Sequence, residues 1–278
     1  MRMFLSKSFL TRVISAVIAL ILIITVFQVW NVIGLKYIIS FAVLIGIYEL
    51  IKILFHHEKS YFLKASFGTL ALITYASSIA SLSLGSLVYS ITLILMTIFT
   101  LLKVHKSGEL ARMSGLISTS SLGLFYVGLL PSFAFRILDQ AYGLEWFVFL
   151  LAVVFSGDTM AYLFGVAIGK HKIMPTISPK KTWQGSIGGL FGSALASVIC
   201  GFYILPHISL KTLIPLAMAA GFVGQFGDFF ESLLKRVANV KDSGKIMPGH
   251  GGVLDRIDAV LFASPVILLG IILLSYLG

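Results

Sequence analysis

Nine stretches of roughly 20 mainly apolar residues run through this chain, at 13–30, 37–55, 65–81, 84–102, 114–134, 147–169, 185–204, 213–234 and 253–276. A helix of that length crosses the ~30 Å hydrocarbon layer of a bilayer, where every backbone polar group must be satisfied within the protein. The expected fold is therefore an all-α polytopic membrane protein of about nine transmembrane helices. Composition agrees: 58% of the 278 residues are hydrophobic and 12% are charged, against about 25% charged in a soluble domain. No long polar stretch divides the chain. It reads as N-terminal transmembrane helices over 1–135 followed by a chemically distinct region over 136–278. The first apolar run follows Arg2, Lys7 and Arg12, as in a secretion signal. It is long, however, and no small-residue cleavage site follows Phe27–Trp30, so it is read as a retained helix.

Lysine and arginine set the orientation. With the N-terminus inside, seventeen of the 21 basic residues fall in inner loops, and Lys36, Arg136, Lys211 and Arg256 are left over. The positive-inside rule then places the N-terminus, the loop 170–184 and the loop 235–252 in the cytoplasm, and the C-terminus outside. The net charge of +10 follows from the same bias and from anionic headgroups. No basic run is interleaved with aromatics on a polar scaffold, so nucleic acid is excluded as a partner. The single cysteine, Cys200, lies in an apolar run. It excludes an intramolecular disulfide and a cysteine-based zinc site.

Five of the six aspartates fall between residues 158 and 258: Asp158, Asp228, Asp242, Asp255 and Asp258. An acid inside a membrane segment costs about 2.5–3.5 kcal/mol on the insertion scale. Here three separate segments accept that cost, which points to a shared cation. Asp255 and Asp258 are three apart and present on one face of a helix. Carboxylates without His or Cys suit magnesium, held by a few oxygens together with waters and substrate phosphates.

Two polar loops adjoin these acids. Lys241-Asp242-Ser243-Gly244-Lys245-Ile246-Met247-Pro248-Gly249-His250-Gly251-Gly252 places four glycines ahead of a helix start, where the backbone can bend tightly and aim N–H groups at an anion. His250 suits a phosphate or structural contact better than a general base. In Ser178-Pro179-Lys180-Lys181-Thr182-Trp183-Gln184, Ser178, Lys180, Lys181 and Thr182 read as an anion clamp, and Trp183 as an interfacial anchor or a ring for stacking a base. Cation, phosphate and membrane together suggest phosphoryl or nucleotidyl transfer to a lipid.

The run Ser232-Leu-Leu-Lys235-Arg236-Val-Ala-Asn-Val-Lys241-Asp242-Ser-Gly-Lys-Ile-Met-Pro-Gly249-His250-Gly251-Gly252-Val-Leu-Asp255-Arg256-Ile-Asp258 resembles the signature of the phosphatidate cytidylyltransferases (CDP-diacylglycerol synthases). Asp158-Thr-Met-Ala-Tyr162 and Ser178-Pro-Lys180-Lys181-Thr182 are similar to further elements of that family. The motif resemblance covers about 155–260, and the N-terminal half matches only in hydropathy. One position departs: the family usually carries Glu where this chain has Gln184.

The resemblance implies the reaction of CTP with phosphatidate to give CDP-diacylglycerol and pyrophosphate. It implies Mg2+, with K+ proposed to share the site, and a homodimer in a bacterial cytoplasmic membrane whose active site faces the cytoplasm. The implied metal ligands are Asp228, Asp255 and Asp258, with Asp158 as a further candidate. Lys180, Lys181, Lys235, Arg236 and Lys241 are expected to grip phosphates. Asp242, His250 and Arg256 are added as catalytic candidates, and Ser178, Thr182, Ser232, Gly249, Gly251 and Gly252 as substrate contacts. The competing readings are a CTP-dependent polyprenol kinase, an ether-lipid cytidylyltransferase and a cation-coupled transporter. Against the last, the acids cluster near one face and have no counterpart in the first half.

Overall fold

The computed structural model describes residues 7–104, 110–244, 246 and 251–277. Among them the chain is helical apart from connecting loops, which include an antiparallel bridge between Lys172 and Thr182. Its helices are α1 (Lys7–Leu54), α2 (Tyr61–Ala80), α3 (Leu82–Val104), α4 (Leu110–Gly123), α5 (Leu130–Ile137), α6 (Gly143–Ile168), α7 (Trp183–Tyr203), α8 (Leu210–Val237) and α9 (Leu254–Leu277), with a π-helical stretch Leu124–Leu129 between α4 and α5. Eight helices among the described residues are long and apolar enough to cross a membrane, α4, the π-helical stretch and α5 counting as one. The chain is a multi-pass membrane protein. Its surface agrees, since residues such as Ile94, Val166, Phe191 and Phe202 are exposed.

Nine expected spans stand against eight because α1 holds two helical stretches that meet at a sharp break, with one of the first two expected spans on either side of it. A straight helix of its 48 residues would reach about 72 Å, more than twice the hydrocarbon thickness. The helix breaks where the first expected span ends, at Asn31, with φ 52° and ψ −139°. Asn adopts positive φ more readily than most residues. Gly34 then lets the turn close, for a Cβ there would lie 2.6 Å from the Val26 carbonyl oxygen.

The chain forms two compact units, 1–132 with 237–256, and 133–236 with 257–278, so their boundaries pass through α5, the last turn of α8 and α9. In the first unit α2 packs on α3 and on the π-helical stretch. Polar side chains sew these helices together: the Thr74 and Thr92 hydroxyls lie 3.1 Å apart, and Ser40 and Tyr75 3.0 Å apart. Glu58, in the α1–α2 linker, accepts from the Ser60 N–H (2.9 Å) and from Arg112 of α4 (2.8 Å). Burial works to raise its carboxyl pKa, but these donors outweigh it and hold the group below its ordinary value.

In the second unit, Trp146, Phe149, Leu150, Val153, Cys200, Leu213, Ala217, Ala263 and Ile267 belong to a buried core drawn from α6, α7, α8 and α9. Small residues set how closely these helices approach, as is usual where lipid supplies no hydrophobic drive. A Cβ on Gly185 would lie 2.7 Å from the Ala161 carbonyl oxygen, and one on Gly192 2.6 Å from that of Ser156. Gly185/Gly189 and Gly188/Gly192 thus form two overlapping small-xxx-small pairs of α7 laid against α6. Pro265 removes an N–H from the middle of α9. The Ser264 hydroxyl donates to Leu261 O at 3.1 Å, the carbonyl that Pro265 cannot serve.

Candidate active site

In the second unit the site begins with a folded-back loop. After α6 the chain makes a short hairpin: Ile173 N–H donates to Lys181 O (3.3 Å) and Trp183 N–H to His171 O (2.9 Å). Its turn closes through Ser178 N–H to Met174 O at 2.9 Å. Thr182, buried, caps α7 by accepting from the Gly185 N–H at 3.1 Å. Capping residues of this kind satisfy a helix's orphan donors. Gln184 clips the base of the hairpin: its Oε1 accepts from the Lys170 and His171 N–H groups (3.1 and 3.3 Å), and its Nε2 lies 3.0 Å from His171 Nδ1. The position that departs from the family pattern is thus used for its shape and its two-ended hydrogen bonding. Arg236, at the end of α8, donates from Nε to Ile177 O at 3.2 Å and holds the turn.

This hairpin delivers Lys181 to α8. Its Nζ lies 2.6 Å from Asp228 Oδ2 and 4.1 Å from the centre of the Phe229 ring. Ser232, one turn on, donates to Asp228 Oδ1 at 3.3 Å. Gly227 explains how Asp258 comes near: a Cβ there would lie 3.0 Å from the Asp258 carbonyl carbon and 3.0 Å from Phe262 Cβ, so only glycine lets α8 and α9 approach this closely. Asp258 is buried, and its Oδ1 accepts from the Ala259 N–H at 2.8 Å. Asp228, Asp158 and Lys181 all lie within electrostatic reach of it. Three carboxylates and one lysine therefore share this region. A small cavity beside them is lined by Gly157, Asp158, Ser193, Gly221, Gly224 and Gln225.

Among the described residues, no three His, Cys, Asp or Glu side chains stand as a ready-made ligand set. The donor chemistry nevertheless fits a hard divalent cation, because the group is all oxygen and carries more negative than positive charge. Lys180 is exposed on the hairpin, with Ser178 half-buried in the turn before it. Lys235 is largely buried and paired with Glu231, one turn earlier, at 2.7 Å.

In the first unit, the loop between α8 and α9 brings Ser243, Gly251, Gly252 and Asp255 together. Asp255 Oδ2 accepts from Ser243 N–H (3.0 Å), Ser243 Oγ (2.9 Å) and Gly252 N–H (2.8 Å). Gly251 adopts φ 84°, and a Cβ there would crowd the Asp255 carboxylate. Lys241, Asp242 and Arg256 are exposed. Lys245, Gly249 and His250 lie outside the described residues.

Several functional candidates escape a reading of the sequence. Glu49 of α1 is buried and bonded to this same loop. An acid inside the apolar run VLIGIYELIKIL is its only signal, since its partners are about 200 residues away. Gln225 and Ser186 form a pair between α7 and α8, with Ser186 Oγ on Gln225 Oε1 and Gln225 Nε2 donating to Ser186 O at 3.1 Å. Glu231 shows only as an acid one helical turn before Lys235.

A model of the cytidylyltransferase family matches residues 10–274 of this chain. The phosphatidate cytidylyltransferase of Staphylococcus saprophyticus is 40% identical to it over 154 residues, which cover 55% of this chain and 58% of the relative. The proteins of the same name from Staphylococcus aureus (strain COL) and Staphylococcus haemolyticus match with the same identity and coverage. The chain thus spans 58% of the length of these curated relatives.

Proposed function

Because this chain belongs to the cytidylyltransferase family, we propose that it transfers the cytidylyl group of CTP to phosphatidate, releasing pyrophosphate. The observation that carries the reading is the grouping of Asp158, Asp228 and Asp258 of three membrane helices with Lys181 of the hairpin. Relatives named for this reaction support the choice of substrates.

The nucleophile is a phosphate oxygen of phosphatidate, ionised at neutral pH, so no general base is needed. It forms a bond to the α-phosphorus of CTP while the α–β bridging P–O bond breaks and its electron pair leaves with pyrophosphate. The obstacle is bringing two polyanions together, and positioned positive charge lowers it. Asp228 and Asp258 would hold a divalent cation, which supplies charge neutralisation and stabilises the leaving pyrophosphate. Asp255 is carried into the ligand set by the family resemblance. Lys181 is placed to serve both Asp228 and an incoming phosphate, and Lys180, Arg236 and Lys241 offer exposed positive charge. Gln184 and Arg236 hold the hairpin that aims Lys181.

The setting follows the same reading: a bacterial cytoplasmic membrane with the hairpin on the cytoplasmic side. The bacterial relatives and the bias of basic residues toward alternate loops support it.

The test is pyrophosphate release from CTP by the purified protein, with and without phosphatidate, across a range of Mg2+. Release that needs both phosphatidate and Mg2+, with CDP-diacylglycerol formed in equal amount, is expected. Turnover with a polyprenol or ether-lipid acceptor instead would replace the substrate, and ion flux without CTP turnover would replace the class. Asp258→Asn is expected to lose activity about 100-fold; full activity at limiting Mg2+ would remove Asp258 from the ligand set.

A further inference from the structure

One buried carboxylate takes no part in the mechanism above. Glu49 lies in the apolar second half of α1, five residues before its end at Leu54, and is 1% exposed. Burying a carboxylate there is costly unless donors surround it, and the first unit supplies three. Val253 N–H donates to Oε1 (3.1 Å) and Leu254 N–H to Oε2 (3.0 Å), and the one Ser243 hydroxyl proton is shared between Oε2 (3.1 Å) and the Asp255 carboxylate. Leu254 opens α9 and Val253 directly precedes it, where N–H groups have no partner within the helix and favour negative charge. The loop has been shaped to the carboxylate. A Cβ on Gly244 would lie 2.8 Å from Glu49 Cδ, and one on Gly252 would meet both carboxylate oxygens.

Ser243 extends the arrangement. Its hydroxyl lies 3.1 Å from Glu49 Oε2 and 2.9 Å from Asp255 Oδ2, while its N–H donates to that same Asp255 oxygen. One serine therefore stands between a buried acid of α1 and the acid in the first turn of α9. The Gly252 N–H on Asp255 is followed directly by the Val253 and Leu254 N–H groups on Glu49. The position of one carboxylate is tied to that of the other.

We propose that Glu49 is a positioning residue: through Ser243 and the first amides of α9 it fixes the loop that presents Asp255, and so tunes this carboxylate for a divalent cation. The inference rests on the reading of Asp255 as a cation ligand in cytidylyl transfer. Groups that orient a ligand in this way typically change metal affinity or activity 10–100-fold when removed.

The test compares the wild type with Glu49→Gln, Glu49→Ala, Ser243→Ala and the Glu49→Gln/Ser243→Ala double variant, all in lipid nanodiscs. Hydrogen–deuterium exchange of the Val253 and Leu254 amides is expected to quicken about 10-fold or more in Glu49→Ala, and less in Glu49→Gln, which keeps an acceptor oxygen. The Mg2+ concentration for half-maximal pyrophosphate release is expected to rise about 10-fold or more, with KM for phosphatidate within about twofold of wild type. The double variant should fall short of the product of the single effects, because both act on one route. Ser243→Ala keeps the buried acid in place, so it carries the test if Glu49→Ala does not fold. Unchanged exchange at Val253 and Leu254 would overturn the proposal. So would a lower kcat at every Mg2+ concentration with unchanged half-saturation, which marks Glu49 as a folding element only. If the wild type shows no turnover with CTP and phosphatidate, the function reading fails; exchange, with Mg2+ binding followed by calorimetry, still decides the role of Glu49.

Discussion

Lys181 joins three kinds of interaction in one side chain: an ion pair with Asp228, a position over the Phe229 ring, and a place in the field of Asp258. Its aim is set by neighbours that carry no charge to the site. Thr182 caps the helix behind it and Gln184 pins the hairpin in front of it. Lys181→Ala should therefore lose about 10²–10³-fold in kcat, and Lys181→Arg should recover part of it. A kcat for Lys181→Ala within about threefold of wild type would remove the lysine from the mechanism. At this scale the charged candidates were legible in the sequence, because an acid or lysine near an apolar span is conspicuous. Their supports were not. Thr182 read as a possible phosphate contact, and only the fold shows its oxygen turned to the Gly185 N–H. Glu49 went unread because its three donors lie about 200 residues downstream.

The helices α6 and α7 meet through glycines rather than through interlocking large side chains. Close approach in lipid depends on such contacts. A Cβ on Gly192 would lie 2.6 Å from Ser156 O and 2.7 Å from Met160 Cβ, so Gly192→Leu forces the pair apart. The expected loss is about 1–3 kcal/mol, typical of overpacking, seen as a lower Tm in nanodiscs and as reduced activity. An unchanged Tm would mean that the two helices yield freely at this point. Hydropathy located every long helix, because length and apolarity are local properties. Its first two spans, ending at residue 30 and starting at 37, flank the break at Asn31 within α1. Hydropathy did not show the π-helical stretch, whose residues Leu124–Leu129 continue the apolar run without a break.

At the scale of the whole molecule, the distribution of basic residues predicts how the chain lies in the membrane. The hairpin 170–183 carries Lys170, Lys172, Lys180 and Lys181, of which Lys170, Lys172 and Lys180 sit in exposed or partly exposed loop. Trypsin added to sealed inside-out vesicles should cut there, and right-side-out vesicles should protect it. Cleavage from the outer face only would invert the orientation. The membrane class was readable at once, because charged residues, at 12%, are half as frequent as the about 25% of soluble domains. The return of residues 237–256 to the first unit, after residues 133–236 in the second, was not, because no local feature of the sequence marks it. The core of that second unit also encloses the chain's one thiol, Cys200, 2% exposed. The natural protein thereby arrives with a silent background for sulfur chemistry. A cysteine placed at any exposed loop position would carry a maleimide dye or spin label alone, so distances and accessibilities can be read without first rebuilding the sequence.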